Sequence, residues 1–506
     1  MKKLFSLIGA AVMCAAIVIG LSSSSYALDR SYTYNYDFWG DVQNSPDFYT
    51  VTKVYTSTEL GLEKRLNSPQ GIYTHGDSLY VLDTGNNRIV VLSKDANGNL
   101  SVTGFIEEFK GDPNGNNTFN NPTDIAISED GNYFIADRGN SRILKLDKDL
   151  NYLMQFDKPE DSSLEDDIAF QPFKIAVDTA ERVYAISVGI NKGLVKYESD
   201  GTFSGFVGAT PVVFNFIDYL WKKFATQEQL AKMESFVPTE YSNLYMDCEG
   251  FIYAVTSNVS KEDLKGGDAD AIRKLNLLGN DILVRNGVFC DGDFPVYGDI
   301  YMGDGGGYNG PSLFSDVTTF DNDVYVCLDK NRGRLFAYDD QGKMLFCCGG
   351  AGNMDGYFRQ PVGLDHLGND LYVVDQLDCS ITVFTLTAFG DQVFTAMDQF
   401  DAGEYDASKA SWEKVIEADG NYDIGYIGVG RALLREENYK EAMEYFELKY
   451  DADNYSKAYK QYRKEWVEDN IVAVVIVILL LFVVPLVIGR IKMLKFQIAT
   501  SDAFKV

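Results

Sequence analysis

Two histidines are the first residues in this sequence whose chemistry could define a site. His75 and His366 are the chain's only histidines, and each follows a short apolar segment that reads as a strand. Imidazole nitrogens bind Zn²⁺, but a zinc site normally uses at least three protein ligands. The two histidines therefore predict at most part of a metal site. The competing interpretation places both in solvated turns.

An acidic, glycine-rich stretch is the second candidate. Hard cations such as Ca²⁺ take clustered oxygen ligands from flexible loops. The carboxylates that could supply them are Asp291, Asp293, Asp299 and Asp304. The stretch does not match the EF-hand pattern, so an ordinary Asp/Gly surface loop is the competing interpretation. Calcium is the only cofactor that the sequence suggests.

Motifs for catalysis are absent from the sequence. It contains no Gly-x-Ser-x-Gly elbow, HExxH or P-loop, so no catalytic residue is predicted. The net charge of −29 argues against nucleic acid as a partner. Seven cysteines without CxxC spacing argue against a disulfide scaffold and against a structural zinc site.

A repeat of about 50 residues organises most of the chain. An apolar strand, an Asp and a Gly-Asn-x-Arg-Ile turn follow one another at 79–89 and again at 133–143. Further, less regular copies begin near Pro172, Asn243, Pro311 and Pro361. Short alternating strands broken by Gly, Asn and Asp turns suit a four-stranded propeller blade.

These units resemble the NHL repeat, whose Asp-x-Gly-Asn-x-Arg-Ile pattern is clearest at 83–89 and 137–143. The resemblance covers about 48–386 and implies a mainly β fold, a β-propeller of six blades. It also implies that the Asp83/Arg88 and Asp137/Arg142 pairs brace the strand turns. An alternating strand at 48–55 precedes the first unit and is expected to complete the last blade, because that pairing removes open sheet edges.

Some proteins with this repeat are enzymes. The resemblance implies two types, amidating lyases with zinc-binding histidines and lactonases with a divalent metal in the channel. The sequence lacks the histidines for the first and shows no matching ligand set for the second. A lactonase-like metal-dependent hydrolase therefore stays as the alternative to a binding function.

A different period of 34 residues follows the propeller. It relates Tyr405 to Tyr439, Ser408 to Ala442, Trp412 to Phe446 and Ala396 to Gly430. This is the spacing of tetratricopeptide repeats, in which small residues let helices approach and aromatic rings fill the gap. The sequence thus predicts TPR-like helical repeats, with a general helical hairpin as the competing interpretation.

An apolar insertion interrupts the repeats at about 210–237. It is expected to be helical, and its candidate partner-contact residues are Phe214, Phe216, Ile217, Leu220, Trp221 and Phe224. These side chains could bind a partner or a membrane surface. The competing interpretation is that they pack as ordinary core.

The two ends of the sequence predict export and anchoring. Lys2 and Lys3, an apolar run and a small-residue site ending at Ala27 are typical of a signal peptide, with an uncleaved signal anchor as the alternative. The uncharged stretch 471–488 is long enough to span a bilayer. Basic residues follow it, at Arg490, Lys492 and Lys495, so the tail is expected in the cytoplasm and the bulk outside it.

The sequence therefore predicts five regions: a signal peptide at 1–27, a propeller at 28–386, helical repeats at 387–466, a transmembrane helix at 467–489 and a cytoplasmic tail at 490–506. The expected function is recognition of a protein or a ligand, with carbohydrate as one ligand class, beside a membrane transporter or a surface complex. The expected partners are the bilayer and a membrane or surface protein.

Overall fold

The structure is a computed structural model that describes residues 33–161, 164, 167–208, 241–266, 270–291, 294–302 and 310–503. The predicted signal peptide and the insertion at 210–237 lie outside these residues. The chain divides into two compact units, 1–394 and 395–506. Each unit is described by itself.

The first unit consists mainly of antiparallel β-sheets. Its strands before the three-stranded sheet described below are β1 (Tyr34–Tyr36), β2 (Val42–Asn44), β3 (Tyr49–Tyr55), β4 (Ile72–His75), β5 (Ser78–Asp83), β6 (Arg88–Lys94), β7 (Leu100–Ile106), β8 (Pro122–Ile127), β9 (Tyr133–Asp137), β10 (Arg142–Leu146), β11 (Tyr152–Phe156), β12 (Pro172–Val177), β13 (Val183–Ser187), β14 (Leu194–Tyr197) and β15 (Phe203–Val207). The strands that follow are β16 (Asn243–Met246), β17 (Ile252–Val255), β18 (Ile272–Leu275), β19 (Cys290–Asp291), β20 (Phe294–Pro295), β21 (Phe314–Thr319), β22 (Tyr325–Asp329), β23 (Arg334–Tyr338), β24 (Met344–Ala351), β25 (Tyr357–Phe358), β26 (Pro361–Leu367), β27 (Asp370–Asp375) and β28 (Ser380–Leu386). A short helix, α1 (Lys261–Gly266), lies between β17 and β18.

Five four-stranded blades form the propeller. In chain order they are blade A (β4–β7), blade B (β8–β11), blade C (β12–β15), blade D (β21–β24) and blade E (β26–β28 with β3). A three-stranded sheet, β16–β18, lies between blades C and D in chain order. The first strands of these sheets contact one another in a closed order, β4, β8, β12, β16, β21 and β26, which returns to β4. The described residues thus form a β-propeller.

The prediction of six blades is wrong, because the described residues form five complete blades and one three-stranded sheet. After β18 the chain turns at Asn276–Asn280, and only the single bridge between Leu275 and Asp281 continues the sheet. Two side chains cover the edge instead: Asp281 accepts the Lys274 amide at 3.2 Å, and Arg285 donates to the Ile272 carbonyl at 3.0 Å. The Asn- and Gly-rich turn therefore leads into a covered edge rather than a fourth strand.

The predicted closure of the ring is confirmed. Strand β3 pairs antiparallel with β28, from Tyr55 opposite Ile381 to Tyr49 opposite Leu386. Apolar side chains of neighbouring blades then share a buried core, as Leu82 of blade A does with Ile125 of blade B. A hairpin that the sequence analysis missed, β1–β2, extends the outer edge of blade D through β24.

Helices follow the propeller. They are α2 (Ala388–Asp401), α3 (Tyr405–Ala418), α4 (Asp423–Arg435), α5 (Tyr439–Leu448), α6 (Ala452–Asp469) and α7 (Ile471–Ala503). Tyr405 and Tyr439 each begin a helix, as the 34-residue period predicts. Gly430 lies so close to Phe446 that an added Cβ would be 2.6 Å from the ring. Small and aromatic residues thus meet between helices, while the tetratricopeptide identity stays a prediction.

One described helix is long and apolar enough to cross a membrane. It covers Ile471–Thr500 and has a mean hydropathy of 3.6 in its most apolar window. It extends past Arg490, where the sequence analysis placed the start of the tail. That this helix crosses a membrane, and in which direction, stays a prediction.

Candidate functional site: the axial cluster

The NHL-type turns show how the repeat sequence positions its strands. Asp83 accepts from Arg88 at 2.8 Å and from the Asn67 amide at 2.7 Å, so one buried carboxylate joins two loops. Asn87 takes a left-handed conformation with φ of 56°. A Cβ on Gly85 would lie 2.6 Å from the Asn67 carbonyl oxygen. Asp83, Gly85 and Arg88 of the pattern therefore each have a geometric reason.

Blade B repeats this arrangement with an additional ion pair. Arg142 donates to Asp137 at 2.9 Å and to Asp112 at 2.6 Å, and all three side chains are buried. The expectation that these Asp/Arg pairs are structural is confirmed by their burial within the turns.

The strongest candidate site consists of four buried charged residues on the first strands of four blades. We call them the axial cluster: Asp124 on β8, Lys174 on β12, Asp316 on β21 and Asp365 on β26. Each belongs to a different repeat, so only ring closure brings the strands that carry them together. The sequence analysis did not identify them. The sequence feature that could have revealed them is a charged residue inside an otherwise apolar first strand, as in the segments that begin at Pro122 and Pro172.

Lys174 supplies the positive charge of the cluster. Its side chain is only 4% exposed, and its Nζ lies 3.7 Å from Asp124 Oδ1. A Cβ on Gly71 would stand 3.2 Å from the same Nζ. The ammonium of blade C therefore reaches the first strand of blade A, and glycine at position 71 leaves room for it.

The three carboxylates clamp neighbouring blades together. Asp124 accepts the Ile175 amide at 2.8 Å, which joins blade B to blade C. Asp316 accepts the Leu364 amide at 2.7 Å, which joins blade D to blade E. A backbone N–H donor to a buried carboxylate makes a strong, charge-assisted hydrogen bond. These groups therefore have a structural role between blades.

Burial changes the acidity of the same carboxylates. It raises the pKa of Asp316 to about 7, against the attraction of Lys174 and two backbone amides. Burial also raises the pKa of Asp124 and of Asp365. The reason is that a charged carboxylate loses hydration in the protein interior. Asp316 can thus take up a proton near neutral pH.

His366 lies beside the cluster but is not part of a catalytic triad. Its Nδ1 is 2.9 Å from Thr318 Oγ1 and 3.7 Å from Asp365 Oδ1, and its ring packs on Phe320. A triad needs the hydroxyl and the carboxylate on opposite ring nitrogens. Here both meet the same nitrogen, so Asp365 cannot orient His366 as a base toward Thr318.

The other histidine does not join this group. His75 ends β4 opposite Ser78 and is exposed. The two strands do touch, since Thr74 Oγ1 donates to the His366 carbonyl at 2.7 Å. Their neighbouring positions around the ring were expected, but the contacts of His366 are with Thr318, Asp365 and Phe320 and not with His75.

The acidic stretch is only partly described. Asp299 is buried, accepts from Tyr36 Oη at 2.6 Å and pairs with Arg332 Nε at 3.3 Å. Asp291 ends β19, whereas Asp293 and Asp304 lie outside the described residues. Within the described residues, no group of three or more His, Cys, Asp or Glu side chains could hold a metal ion. Calcium stays a prediction. Asp299 already forms an ion pair with Arg332.

The candidate partner-contact residues, Phe214, Phe216, Ile217, Leu220, Trp221 and Phe224, lie outside the part of the chain that the structure describes. Their role stays a prediction.

Comparisons with known proteins agree with the fold. The NHL-repeat family model matches residues 119–146, which include β8–β10 of blade B. A search of the curated proteins found no match. The chain is therefore a β-propeller protein with an NHL repeat and C-terminal helices.

Several solved structures are similar to this chain. A streptogramin B lyase is 12% identical, with a TM-score of 0.39, and the match covers 68% of this chain and 100% of the lyase. Virginiamycin B lyase from Staphylococcus aureus is 10% identical, with a TM-score of 0.37, over 67% of this chain and 100% of the lyase. A family AA12 carbohydrate-active enzyme from Trichoderma reesei is 12% identical, with a TM-score of 0.37, over 69% of this chain and 100% of that enzyme. Nothing about activity follows from likenesses at this level.

Proposed function

We propose that this chain is a membrane-anchored, extracytoplasmic recognition protein. Its propeller binds a protein or a ligand such as a carbohydrate, and its TPR-like helices serve as a scaffold beside a membrane transporter or a surface complex. The signal peptide at 1–27 directs export, and the helix that begins at Ile471 anchors the chain. The basic residues after position 489 hold the tail in the cytoplasm.

The observation that carries this proposal is that the charged groups of the axial cluster make structural contacts between blades. The side chain of Lys174 extends from blade C to Gly71 of blade A. Each carboxylate of the cluster accepts a hydrogen bond from a backbone amide of a neighbouring blade. These contacts engage the charged side chains of the cluster within the protein interior. Recognition by surface loops of the propeller is the function that such an arrangement leaves open.

The lactonase-like alternative gains no support from the described residues. A divalent ion placed between Asp124 and Asp316 would face the buried Lys174 ammonium, and like charges repel strongly at low dielectric. Hydrolysis of lactones that depends on added Ca²⁺ and disappears in Asp316→Asn would favour this alternative over the proposal.

Affinity purification from membranes tests the recognition function. The full chain is purified after in-cell crosslinking, beside Phe216→Ser/Trp221→Ser and a control at two exposed lysines outside the insertion, Lys110→Ala/Lys148→Ala. We expect specific co-purifying membrane or surface proteins that the aromatic variant loses and the lysine variant keeps. Identical sets from all three would remove the insertion from the proposal, and no specific protein from any of them would count against a scaffold.

Thiol labelling tests the orientation. Cys248 is an exposed free cysteine of the first unit, and a membrane-impermeant maleimide should label it on intact cells. A cysteine introduced as Gln497→Cys should react only after permeabilisation, measured against a Cys248→Ser/Cys290→Ser background that lacks both exposed cysteines of the first unit. The reverse pattern would overturn the proposed topology.

A further inference from the structure

A short chain of hydrogen bonds joins two serines and a lysine at the junction between the three-stranded sheet and blade D. Ser242 Oγ lies 2.5 Å from Ser257 Oγ and accepts the Ser257 amide at 2.7 Å. Ser257 Oγ in turn lies 3.0 Å from Lys330 Nζ. We call these three residues the serine–lysine group. Their order, from hydroxyl to hydroxyl to amine, is one along which a proton can move.

The backbone at each member of the group is held by hydrogen bonds. The Ser242 amide donates to the Val255 carbonyl at 2.8 Å, and the Lys330 amide donates to the Leu313 carbonyl at 3.0 Å. Ser257 is fixed by the bond from its own amide to Ser242 Oγ. Side chains that start from such a base need little reorganisation before they react.

The surroundings of the amine favour its neutral form. Partial burial of the Lys330 ammonium lowers its pKa below the usual value of 10.5, against the attraction of the neighbouring Asp329. The reason is that a charged amine loses hydration beside the protein. Lys330 is nevertheless an exposed residue, and Ser242 and Ser257 are half-buried. A small molecule can therefore reach the serine hydroxyls from solvent.

The corresponding position in blade B makes a purely structural contact. Arg138 directly follows the last residue of β9, as Lys330 directly follows the last residue of β22. Arg138 donates to Gln171 Oε1, beside blade C, at 3.2 Å. A contact between blades at this position therefore needs neither a nucleophile nor a base. The junction of Ser257 with Lys330 is different, because it joins a hydroxyl to an amine that can lose its proton.

We propose that Ser257 is the nucleophile of an acyl-transfer site, with Lys330 as its general base and Ser242 as the residue that positions its hydroxyl. The substrate class is an ester of a carboxylic acid. A serine activated by a lysine is one of the nucleophile–base pairs that recur on unrelated folds and are recognised by their geometry. This activity goes beyond the proposed recognition function and does not rest on it.

The reaction has two steps, and Lys330 carries the proton in both. First, Ser257 Oγ attacks the carbonyl carbon of the ester while its proton moves to Lys330 Nζ. The bond from that carbon to the alcohol oxygen then breaks, and the Lys330 ammonium returns the proton to the departing alcohol. Second, water attacks the acyl-serine and gives a proton to Lys330. Release of the carboxylic acid and return of that proton restore the Ser257 hydroxyl.

Ser242 keeps its hydrogen throughout the reaction. Its Oγ accepts the Ser257 amide, so its own hydrogen is directed at Ser257 Oγ. The hydrogen of Ser257 then has Lys330 Nζ as its acceptor. Ser242 is therefore a positioning residue, and it acts through the direction of the Ser257 hydroxyl.

A fluorophosphonate probe tests the nucleophile, because it forms a P–O bond to an activated serine and releases fluoride. The full chain in detergent micelles is labelled, and mass spectrometry of its peptides identifies the modified residue. We expect one adduct, on Ser257. Lys330→Arg keeps a cation that can hold the junction, as Arg138 does in blade B, but an arginine does not accept a proton at neutral pH. It should lower the labelling rate at least about 100-fold, the contribution of a general base.

The positioning role of Ser242 has its own variants. Ser242→Ala should lower the labelling rate of Ser257 about tenfold, because one hydrogen bond to the nucleophile is lost. Ser242→Thr keeps a hydroxyl and should restore most of the rate. A low rate in both variants would show that Ser242 does not act through its hydroxyl.

Hydrolysis of p-nitrophenyl acetate by the same preparations measures turnover. It should be lost in Ser257→Ala and unchanged in Ser101→Ala, the control, which removes an exposed serine of blade A. Equal melting temperatures verify that the variants are folded. The proposal is overturned if the probe labels no serine or labels a serine other than Ser257, if Lys330→Arg is labelled as fast as the unmodified chain, or if Ser257→Ala still hydrolyses the ester at the original rate.

Discussion

Asp365 Oδ2 accepts the backbone amide of Thr74 at 2.6 Å, although the two residues are 291 positions apart in the sequence. This hydrogen bond joins blade E to blade A, the last blade to the first. In blades B and D the clamping carboxylate lies two positions after the residue that opens the first strand. Blade E has Gly363 at that position, where a Cβ would stand 3.1 Å from Gly71 Cα. The carboxylate has therefore moved two residues along the strand.

Asp365→Ala should weaken the closure of the ring. The substitution leaves the Thr74 amide without its acceptor, and hydrogen bonds to charged groups contribute about 1.5–3 kcal/mol. We expect a loss of that size in the free energy of unfolding, measured by urea denaturation. Asp355→Ala, at an exposed turn position, is the control and should stay within about 0.5 kcal/mol. Equal effects of the two substitutions would contradict the clamp.

The pKa of Asp316 predicts a dependence of stability on pH. Because burial raises this pKa from its ordinary value of 3.8 to about 7 in the folded state, the folded chain binds the proton more tightly than the unfolded chain does. Stability from this group is present at low pH and is lost as the pH rises from about 4 through 7. Each unit of pKa corresponds to about 1.36 kcal/mol, so the unfolding free energy should fall by up to about 4 kcal/mol.

Comparison with Asp316→Asn isolates this contribution from other titrating groups. The unfolding free energy of the unmodified chain relative to the variant should fall between pH 5 and pH 8, as measured by urea denaturation at constant ionic strength. A difference that is flat over this range, or that rises, would contradict a raised pKa of Asp316 in the folded state.

Arg142 should matter more than an ordinary surface ion pair. Arg142→Ala leaves Asp137 and Asp112 buried without their cation, and removing one partner of a buried pair costs about 3–5 kcal/mol. Arg359 and its partner Asp378 are both exposed, so Arg359→Ala should cost about 1 kcal/mol or less. Thermal and chemical unfolding of both variants would show this order. The reverse order would contradict a structural role of the NHL-type turn.

Sequence reasoning succeeded where the information was local and repeated. The pattern from Asp83 to Ile89 predicted the turns, and the alternation of apolar and polar residues in β3 was sufficient to predict its pairing with β28. It failed for the axial cluster, because Asp124, Lys174 and Asp316 each look like an isolated charge until ring closure brings their strands together. The missing strand beside β18 was unpredictable for a similar reason: Asp281 and Arg285 cover the edge through tertiary contacts that no periodicity shows.

Glycine in the helical unit provides a further test of close packing. Gly428 on α4 faces the Trp412 indole so closely that an added Cβ would overlap it. Gly428→Ala should gain helix propensity, about 1 kcal/mol at a free position, but overpacking typically costs about 1–3 kcal/mol. The substitution should therefore have no stabilising effect and should lower the unfolding temperature of the helices, followed by circular dichroism at 222 nm. Gly420→Ala, in the turn between α3 and α4, is the control for an added methyl group without crowding, because its nearest neighbour would be the Ile416 carbonyl oxygen at 4.0 Å. If Gly428→Ala proved as well tolerated as the control, α3 and α4 would be packed less closely than the structure shows. The pairing of small residues with aromatic rings would then not hold these helices together.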